Sequence, residues 1–269
     1  MDIVILIARK LGLPSLLRNL GLGRMVGVLN TWNLRRIRAK VAHCHLRGVG
    51  LEIGALHFPL RLPPEAKAIY LDRASREDNI RRYTDVDQAH IVHTDIIGNG
   101  FDLACFGSKT LDFIVANHVL EHTDDALGAL ATWASRIRAG GHLFITLPIA
   151  DKCCDRGRPL TSLEHLIEDQ RLKQDAKLRE LADRNLEHYR EWVCISEVNL
   201  NGCTKTEVEN ERRWRSLAAQ EAEIHFHAFS PQSLADLMKY FCTNVCPDFL
   251  LVEIRESGGE VISLLQRST

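Results

Sequence analysis

The sequence predicts an α/β protein, doubly wound about a mostly parallel sheet, with a helical insertion and a C-terminal antiparallel hairpin. Three observations predict it. Strand and helix signals alternate from Val49 to about Pro148, the pattern of a parallel sheet flanked by helices. From 150 to about 223 the chain turns charged and helical without a convincing strand, a stretch too long for a simple connection. It then closes on 249–256, the turn residues Ser257-Gly258-Gly259, and 260–266, which read as a hairpin at the sheet edge.

The strands are expected at 50–53, 68–71, 91–93, 111–116 and 142–147, each ending near a polar residue or glycine. With the hairpin they make seven. In the insertion, Thr161-Ser162-Leu163-Glu164 fits a capping box with the Thr161 hydroxyl on the Glu164 amide, and Thr206 with Glu209 opens another helix. Ser230-Pro231 supplies an N-cap and a first-turn proline for a helix through Leu237. The resulting division is a basic helical segment (1–47), a core (48–150), a helical lid (151–223) and a C-terminal completion of the sheet (224–269).

Composition narrows the function classes. The chain has 269 residues, 45% hydrophobic and 26% charged, which suits one globular domain with an elaboration. Its longest apolar runs, such as 3–8 and 249–252, are far short of the roughly 20 residues that cross a bilayer. Met1-Asp2, a short apolar run and Arg9-Lys10 lack the order of a secretory signal, so a cytoplasmic protein is expected. The eight cysteines are scattered, which suits reduced thiols, and Cys153-Cys154 and Cys242/Cys246 lack zinc-finger spacing.

Charge is unevenly spread. Residues 1–47 carry nine basic residues against the single acid Asp2, so the rest is net acidic. No basic, aromatic-rich groove is visible in that body, which argues against nucleic acid as a partner. The basic segment suits either peripheral contact with an anionic membrane or, preferably, amphipathic helices packed on the body with a solvated basic face.

The chemistry is concentrated at the strand ends, where open α/β sheets bind ligands. Gly54 follows the first strand and Glu52 lies within it, Asp72 ends the second about 20 residues later, and Asp95 follows the third. An acid after the second strand suits ribose hydroxyls, and Asp95 suits an adenine amino group. The most specific block runs Leu111-Asp112-Phe113-Ile114-Val115-Ala116-Asn117-His118-Val119-Leu120-Glu121-His122, then a helix, Arg138-Ala139-Gly140-Gly141 and a strand to Pro148.

That block resembles the class I, S-adenosylmethionine-dependent methyltransferases, over roughly 48–150 and more faintly over 225–267. The resemblance implies a Rossmann-like seven-stranded sheet and S-adenosylmethionine as cofactor. It assigns the cofactor to Glu52, Gly54, Ala55, Asp72, Asp95, Ile96, Asn117 and His118. The usual Gly-x-Gly-x-Gly run is reduced to Gly54, with Leu56 and Pro59 in its place. That variant, with Arg158-Pro159-Leu160-Thr161-Ser162-Leu163-Glu164-His165, resembles a methyltransferase-like branch associated with cell-surface polysaccharide biosynthesis. The implied acceptor is a small molecule or a sugar or glycan hydroxyl.

His122 and His165 are the candidate bases for such an acceptor. Arg156 and Arg158 are candidates for holding an anionic sugar or phosphate. His165, His188, His225 and His227, with Glu164, Asp169, Glu187 and Glu191 nearby, leave open an acceptor site or a nitrogen-and-oxygen metal site, and no metal is assigned. His118-x-x-Glu121-His122 also matches an inverted zinc-peptidase motif if it is helical, but it begins at the end of a buried strand. The reduced glycine run is compatible with a catalytically silent scaffold as well. An acid after the second strand would also suit a nicotinamide-dependent oxidoreductase, but the Gly-x-Gly-x-x-Gly run of such an enzyme is missing.

Overall fold

The computed structural model describes residues 23–84, 86–202 and 204–269, with side chains from Thr31 onward. Helix α1 (Gly23–His45) precedes β1 (Gly48–Ile53), β2 (Ala66–Asp72), α2 (Arg76–Arg82), β3 (Ile96–Ile97) and β4 (Leu111–Asn117). Helix α3 (Ala126–Arg136) leads into β5 (Ile137–Pro148). The insertion holds α4 (Leu163–Gln174), α5 (Leu178–Glu191), a π-helical turn (Trp192–Ser196), α6 (Glu197–Asn201) and α7 (Glu207–Ala219). Helix α8 (Pro231–Tyr240), β6 (Phe249–Ser257) and β7 (Glu260–Arg267) complete the chain.

The seven strands run in the order β3-β2-β1-β4-β5-β7-β6. β1 to β5 are mutually parallel, and β7 pairs antiparallel with both β5 and β6. This is the Rossmann-like methyltransferase arrangement, with the order reversing beside β1. One face of the sheet packs Leu51, Ile114 and Ile145 against Leu127, Leu130 and Trp133 of α3 and Leu234 and Leu237 of α8. The other buries Phe113, Val115, Phe144 and Ile262 under Val41 and Ala42 of α1 and the adjoining Leu46. At about 1.5–3 kcal/mol per fully buried large apolar side chain, these contacts are what fix the helices to the sheet.

Helix α1 therefore follows the packed amphipathic reading. Arg38 is buried and ion-paired with Glu260 of β7, and Arg35 lies 4.1 Å from the Phe58 ring centroid. Arg36, Lys40 and Arg47 remain exposed. Arg9, Lys10 and Arg18, on which a membrane contact would also draw, lie outside the described residues. Among the described residues no helix is long and apolar enough to cross a membrane.

Two local expectations are corrected. The third strand is Ile96–Ile97, not 91–93, because Ile91 is drawn into a 3-10 turn capped by Asp87 and Val92 donates to Leu56 O at 2.9 Å. The N-cap of α4 is Ser162, whose hydroxyl accepts from the His165 amide at 3.2 Å. Thr161 is instead tied to the return segment, donating from its amide to Ala228 O and accepting the Ala228 amide on its hydroxyl. The Thr206–Glu209 capping box and the Ser230-Pro231 start are both present.

Candidate active site

Beyond the C-terminal ends of β1, β2 and β4 lies a cavity of about 810 Å³. Gly54 and Leu56 form one edge. Gly54 takes φ +65°, readily adopted only without a Cβ, and donates to Leu71 O at 2.9 Å. Leu56 takes φ +46°, so the turn keeps left-handed backbone where the glycine run has lost its second glycine. The strain is held by the Val92 amide on the Leu56 carbonyl.

Asp72 lines this cavity at the end of β2. Its Oδ1 accepts the Ala74 amide at 3.1 Å, which orients the carboxylate and leaves Oδ2 for an external donor. Ile53, Leu71 and Phe101 provide apolar wall, and Gly98, Asn99 and Gly100 carry the chain across its floor. A Cβ on Gly100 would come within 2.5 Å of Ile53, so this close crossing needs glycine. Sequence reasoning missed the 98–101 segment, although Gly98-Asn99-Gly100 directly after a strand is itself a signal of close backbone approach.

The assigned cofactor residues divide. Gly54, Asp72 and His118 line the cavity, whereas Glu52, Ala55, Asp95, Ile96 and Asn117 do not. Glu52 is fully buried and binds the Leu60 amide through Oε1 at 2.8 Å and Oε2 at 3.2 Å, pinning the loop after β1. Burial pushes its carboxyl up to about 7. Asn117 donates to Glu52 at 3.4 Å and accepts from Thr146 at 3.1 Å. The exposed Asp95 uses Oδ2 on the Tyr70 amide at 2.8 Å. Ala55 is buried, and Ile96 packs on the core. These five thus lie in or beside the strand ends that frame the cavity, outside its lining.

The segment after β4 is not helical at its start. His118 has φ +55° and its Nε2 lies 2.9 Å from Glu260, while Leu120–His122 is one 3-10 turn. His118 therefore stands outside any helix and the three residues share no helical face, which the zinc-peptidase reading needs, although His118 Nδ1 still lies 3.9 Å from Glu121 Oε1. His122 Nδ1 donates to Ile224 O at 2.9 Å. In the neutral ring that bond fixes the proton on Nδ1 and leaves Nε2 as a lone-pair base.

A second cavity of about 840 Å³ adjoins the first, and Asn99, Phe101, His122, Glu221 and Phe226 line both. Its remaining walls come largely from the insertion, including Lys173, Asn185, Tyr189 and Arg215. Lys173 and Asn185 converge on Asp124, each with a 3.1 Å contact. Across the first cavity's rim, Arg73 ion-pairs with Glu223.

Several insertion residues behave differently from expectation. His165 lines neither cavity; its Nε2 is 3.0 Å from Asp169 Oδ2 and 3.0 Å from His188 Nε2. That pairing places the ring in the packing between α4 and α5, outside the cavities in which an acceptor was expected to meet it. Arg158 is buried against Asp155, Glu191 and the carbonyls of His225 and Phe226, so no donor is directed at a ligand. Arg156 is exposed outside both cavities. His225 Nδ1 lies 2.6 Å from Asp155; burial works to lower its pKa, but the Asp155 hydrogen bond together with the charges of Glu121 and Asp155 raises it on balance. Burial lowers His188 to about 3 and His227 well below the ordinary imidazole range.

A family model described as a methyltransferase domain matches residues 64–241, more than half of the chain. No curated protein matches the sequence. Among solved structures, an S-adenosylmethionine-dependent methyltransferase from Thermotoga maritima is 15% identical, covering 91% of this chain and 97% of that one with a TM-score of 0.42. An O-methyltransferase family protein from Burkholderia thailandensis is 16% identical over 89% of this chain and 56% of its own, TM-score 0.47. A Rhodobacter sphaeroides protein described as a zinc-dependent alcohol dehydrogenase is 14% identical over 87% and 89%, TM-score 0.48. Likenesses of this strength carry no argument about reaction or substrate.

Proposed function

Because the chain belongs to the methyltransferase-domain family, we propose that it methylates a hydroxyl of a small molecule or sugar, with His122 taking the hydroxyl proton. One observation carries the reading: His122 stands in the wall shared by the strand-end cavity and the insertion cavity, with Nδ1 held by Ile224 and Nε2 left basic. The two cavities divide the work naturally, one for cofactor and one for acceptor.

The strand-end cavity fits S-adenosylmethionine. Asp72 has an uncommitted oxygen for ribose hydroxyls, Ile53, Leu71 and Phe101 offer apolar surface for a purine, and Gly54 and Gly98 bring bare backbone to the edge. When bound, S-adenosylmethionine supplies an activated methyl group. The chain's own contribution is alignment, exclusion of water by the insertion, and removal of one proton. His122 and the apolar Phe226 limit the approach of the acceptor, and Lys173, Asn185 and Tyr189 give its polar groups places to bind. Such a wall suits a hydroxylated molecule, and a glycan of the cell surface is a member of that class.

Calorimetric titration with S-adenosylmethionine, S-adenosylhomocysteine and NAD tests the cofactor, with binding expected for the first two alone. Formation of S-adenosylhomocysteine with free glycosides and nucleotide-activated sugars then tests the acceptor. His122→Asn should leave cofactor affinity within about twofold while lowering kcat by roughly 10²–10⁴-fold. Unaltered turnover in that variant would remove His122 from the mechanism.

A further inference from the structure

We propose that His165, Asp169, His188 and His227 bind one divalent transition-metal ion, zinc foremost, in a site separate from both cavities. The four residues come from three pieces of chain. His165 and Asp169 stand one turn apart on α4, His188 is on α5, and His227 is on the segment returning to α8. Their ligating atoms all lie within 4.8 Å of one another.

The hydrogen bonding is what distinguishes a ligand set from a packed histidine cluster. Buried polar groups in folded proteins nearly always find partners. Here His227, 1% exposed, has neither ring nitrogen paired, and His188 has no partner for Nδ1. Asp169, also 1% exposed, spends Oδ1 on Arg184 at 2.7 Å, and its Oδ2 makes no well-directed hydrogen bond despite His165 at 3.0 Å. Arg184 further donates to the His165 carbonyl, so the carboxylate is fixed with one oxygen turned to the imidazoles. That is the supporting role expected around a metal ligand.

Distances agree. A tetrahedral ion with Zn–N bonds of about 2.0–2.1 Å sets its ligand atoms about 3.3 Å apart. His165 Nε2 lies 3.0 Å from both His188 Nε2 and Asp169 Oδ2, so small ring rotations open the three atoms to that spacing. Three imidazoles and one carboxylate form a borderline donor set that suits zinc, iron or cobalt and disfavours magnesium and calcium. His165, the most exposed of the four, provides the way in.

Two neighbouring clusters are weaker candidates. Glu121 has two unpartnered buried oxygens, but with His122 and His225 it makes a set of three ligands and not four, and His225 is already paired with Asp155. In Cys153-Cys154-Asp155 the carboxylate is already taken by Arg158, Ser196 and His225. Among the described residues the histidine–aspartate set brings together four ligand atoms, with several buried and unpartnered polar atoms.

An ion there would staple α4, α5 and the return segment. Phe226, next to His227, lines both cavities, so the ion would fix the acceptor wall without touching the acceptor.

The test uses the full chain, purified without a metal-chelating tag and stripped by chelator. Uptake of zinc is measured by elemental analysis and uptake of cobalt by its visible spectrum, both independent of methyl transfer. About one equivalent of zinc and a tetrahedral cobalt spectrum are expected, with uptake retained in the Cys153→Ser/Cys154→Ser double variant and in His225→Gln. His165→Gln and His227→Gln should each weaken zinc at least tenfold; if His227→Gln does not fold, His165→Gln decides. A folded wild type with no stoichiometric zinc, cobalt, iron, manganese or nickel overturns the proposal, as does zinc affinity unchanged in His165→Gln. S-adenosylhomocysteine titration on the same samples reports separately on the methyltransferase reading.

Discussion

Glu52 and Glu121 are both fully buried carboxylates beside the strand ends, yet they are treated differently. Glu52 receives the Leu60 amide on both oxygens, and Glu121 has no hydrogen-bond partner on either. The difference follows from what surrounds them. Glu52 reaches a free amide of the loop after β1, whereas Glu121, in the turn after β4, faces the imidazoles of His118, His122 and His225, and the insertion helices beyond have spent their amides on their own ladders. Polar groups buried among the insertion helices must therefore be met by other side chains or by ligands. Where side chains suffice, as at Arg158, the packing is cross-linked; where they do not, as at His227, the donors stay unpaired.

The sharpest way to break this comparison is at Arg158. If the insertion depends on side-chain cross-links, Arg158→Met should lower stability by about 2–4 kcal/mol, because the half-buried Glu191 loses its cation and the buried Asp155 keeps only His225 and Ser196. Urea unfolding measures it. A loss below about 1 kcal/mol would mean that the pairing is not what holds the lid.

Glu52 provides the matching experiment on the sheet side. Its carboxyl is raised from an ordinary 4.5 to about 7 by burial. Below pH 4.5 folded and unfolded chains both carry the proton and the group's full contribution is present. Above 4.5 the unfolded chain ionises first, so stability falls as pH rises, until the folded chain also ionises near 7. Wild-type stability relative to Glu52→Gln should therefore drop by on the order of 3 kcal/mol between pH 4.5 and 7. A pH-independent difference would show that the loop amides compensate the charge fully.

Next in size is Asp72. Asp72→Ala should weaken S-adenosylhomocysteine by about 1.5–3 kcal/mol, since a charged acceptor is lost from the ribose hydroxyls. Titration calorimetry on the folded variant checks it. Unchanged affinity would detach the nucleoside from the end of β2.

The sheet was far more legible than the insertion, and for a physical reason. Strand alternation, the acid at Asp72 and the block from Leu111 to Pro148 are local patterns, and parallel topology carries them to one edge. β3 escaped because a two-residue strand has no periodicity to read. Glu52 and Asn117 sit at the expected place but turn inward, since a buried loop amide competes for the carboxylate. In the insertion, the histidines were visible as a group, but partner choice was not. His165 faces α5 instead of the acceptor, and His122 meets Ile224 across 102 positions of sequence, distances that no local pattern encodes.

The smallest predicted effect lies where the two regions touch. Arg73 just after β2 pairs with Glu223 at the end of the insertion, and both line the strand-end cavity. Their side chains are 44% and 35% exposed, so solvent screens the pair and its stability contribution should stay within about 0.2–1 kcal/mol. Its position gives it a second consequence. If ligand release involves parting the insertion from the end of β2, the pair must break, and Glu223→Gln should then speed release of S-adenosylhomocysteine by a few-fold while hardly moving the unfolding midpoint. Salt should have the same effect on wild type and little on the variant, because only the wild type has an ion pair to screen. Stopped-flow release at low and high ionic strength for wild type, Arg73→Gln, Glu223→Gln and the double variant separates the pair from the single residues. If the four chains release the ligand alike, the insertion moves independently of this contact, and the two halves communicate only through the shared wall at His122 and Phe226.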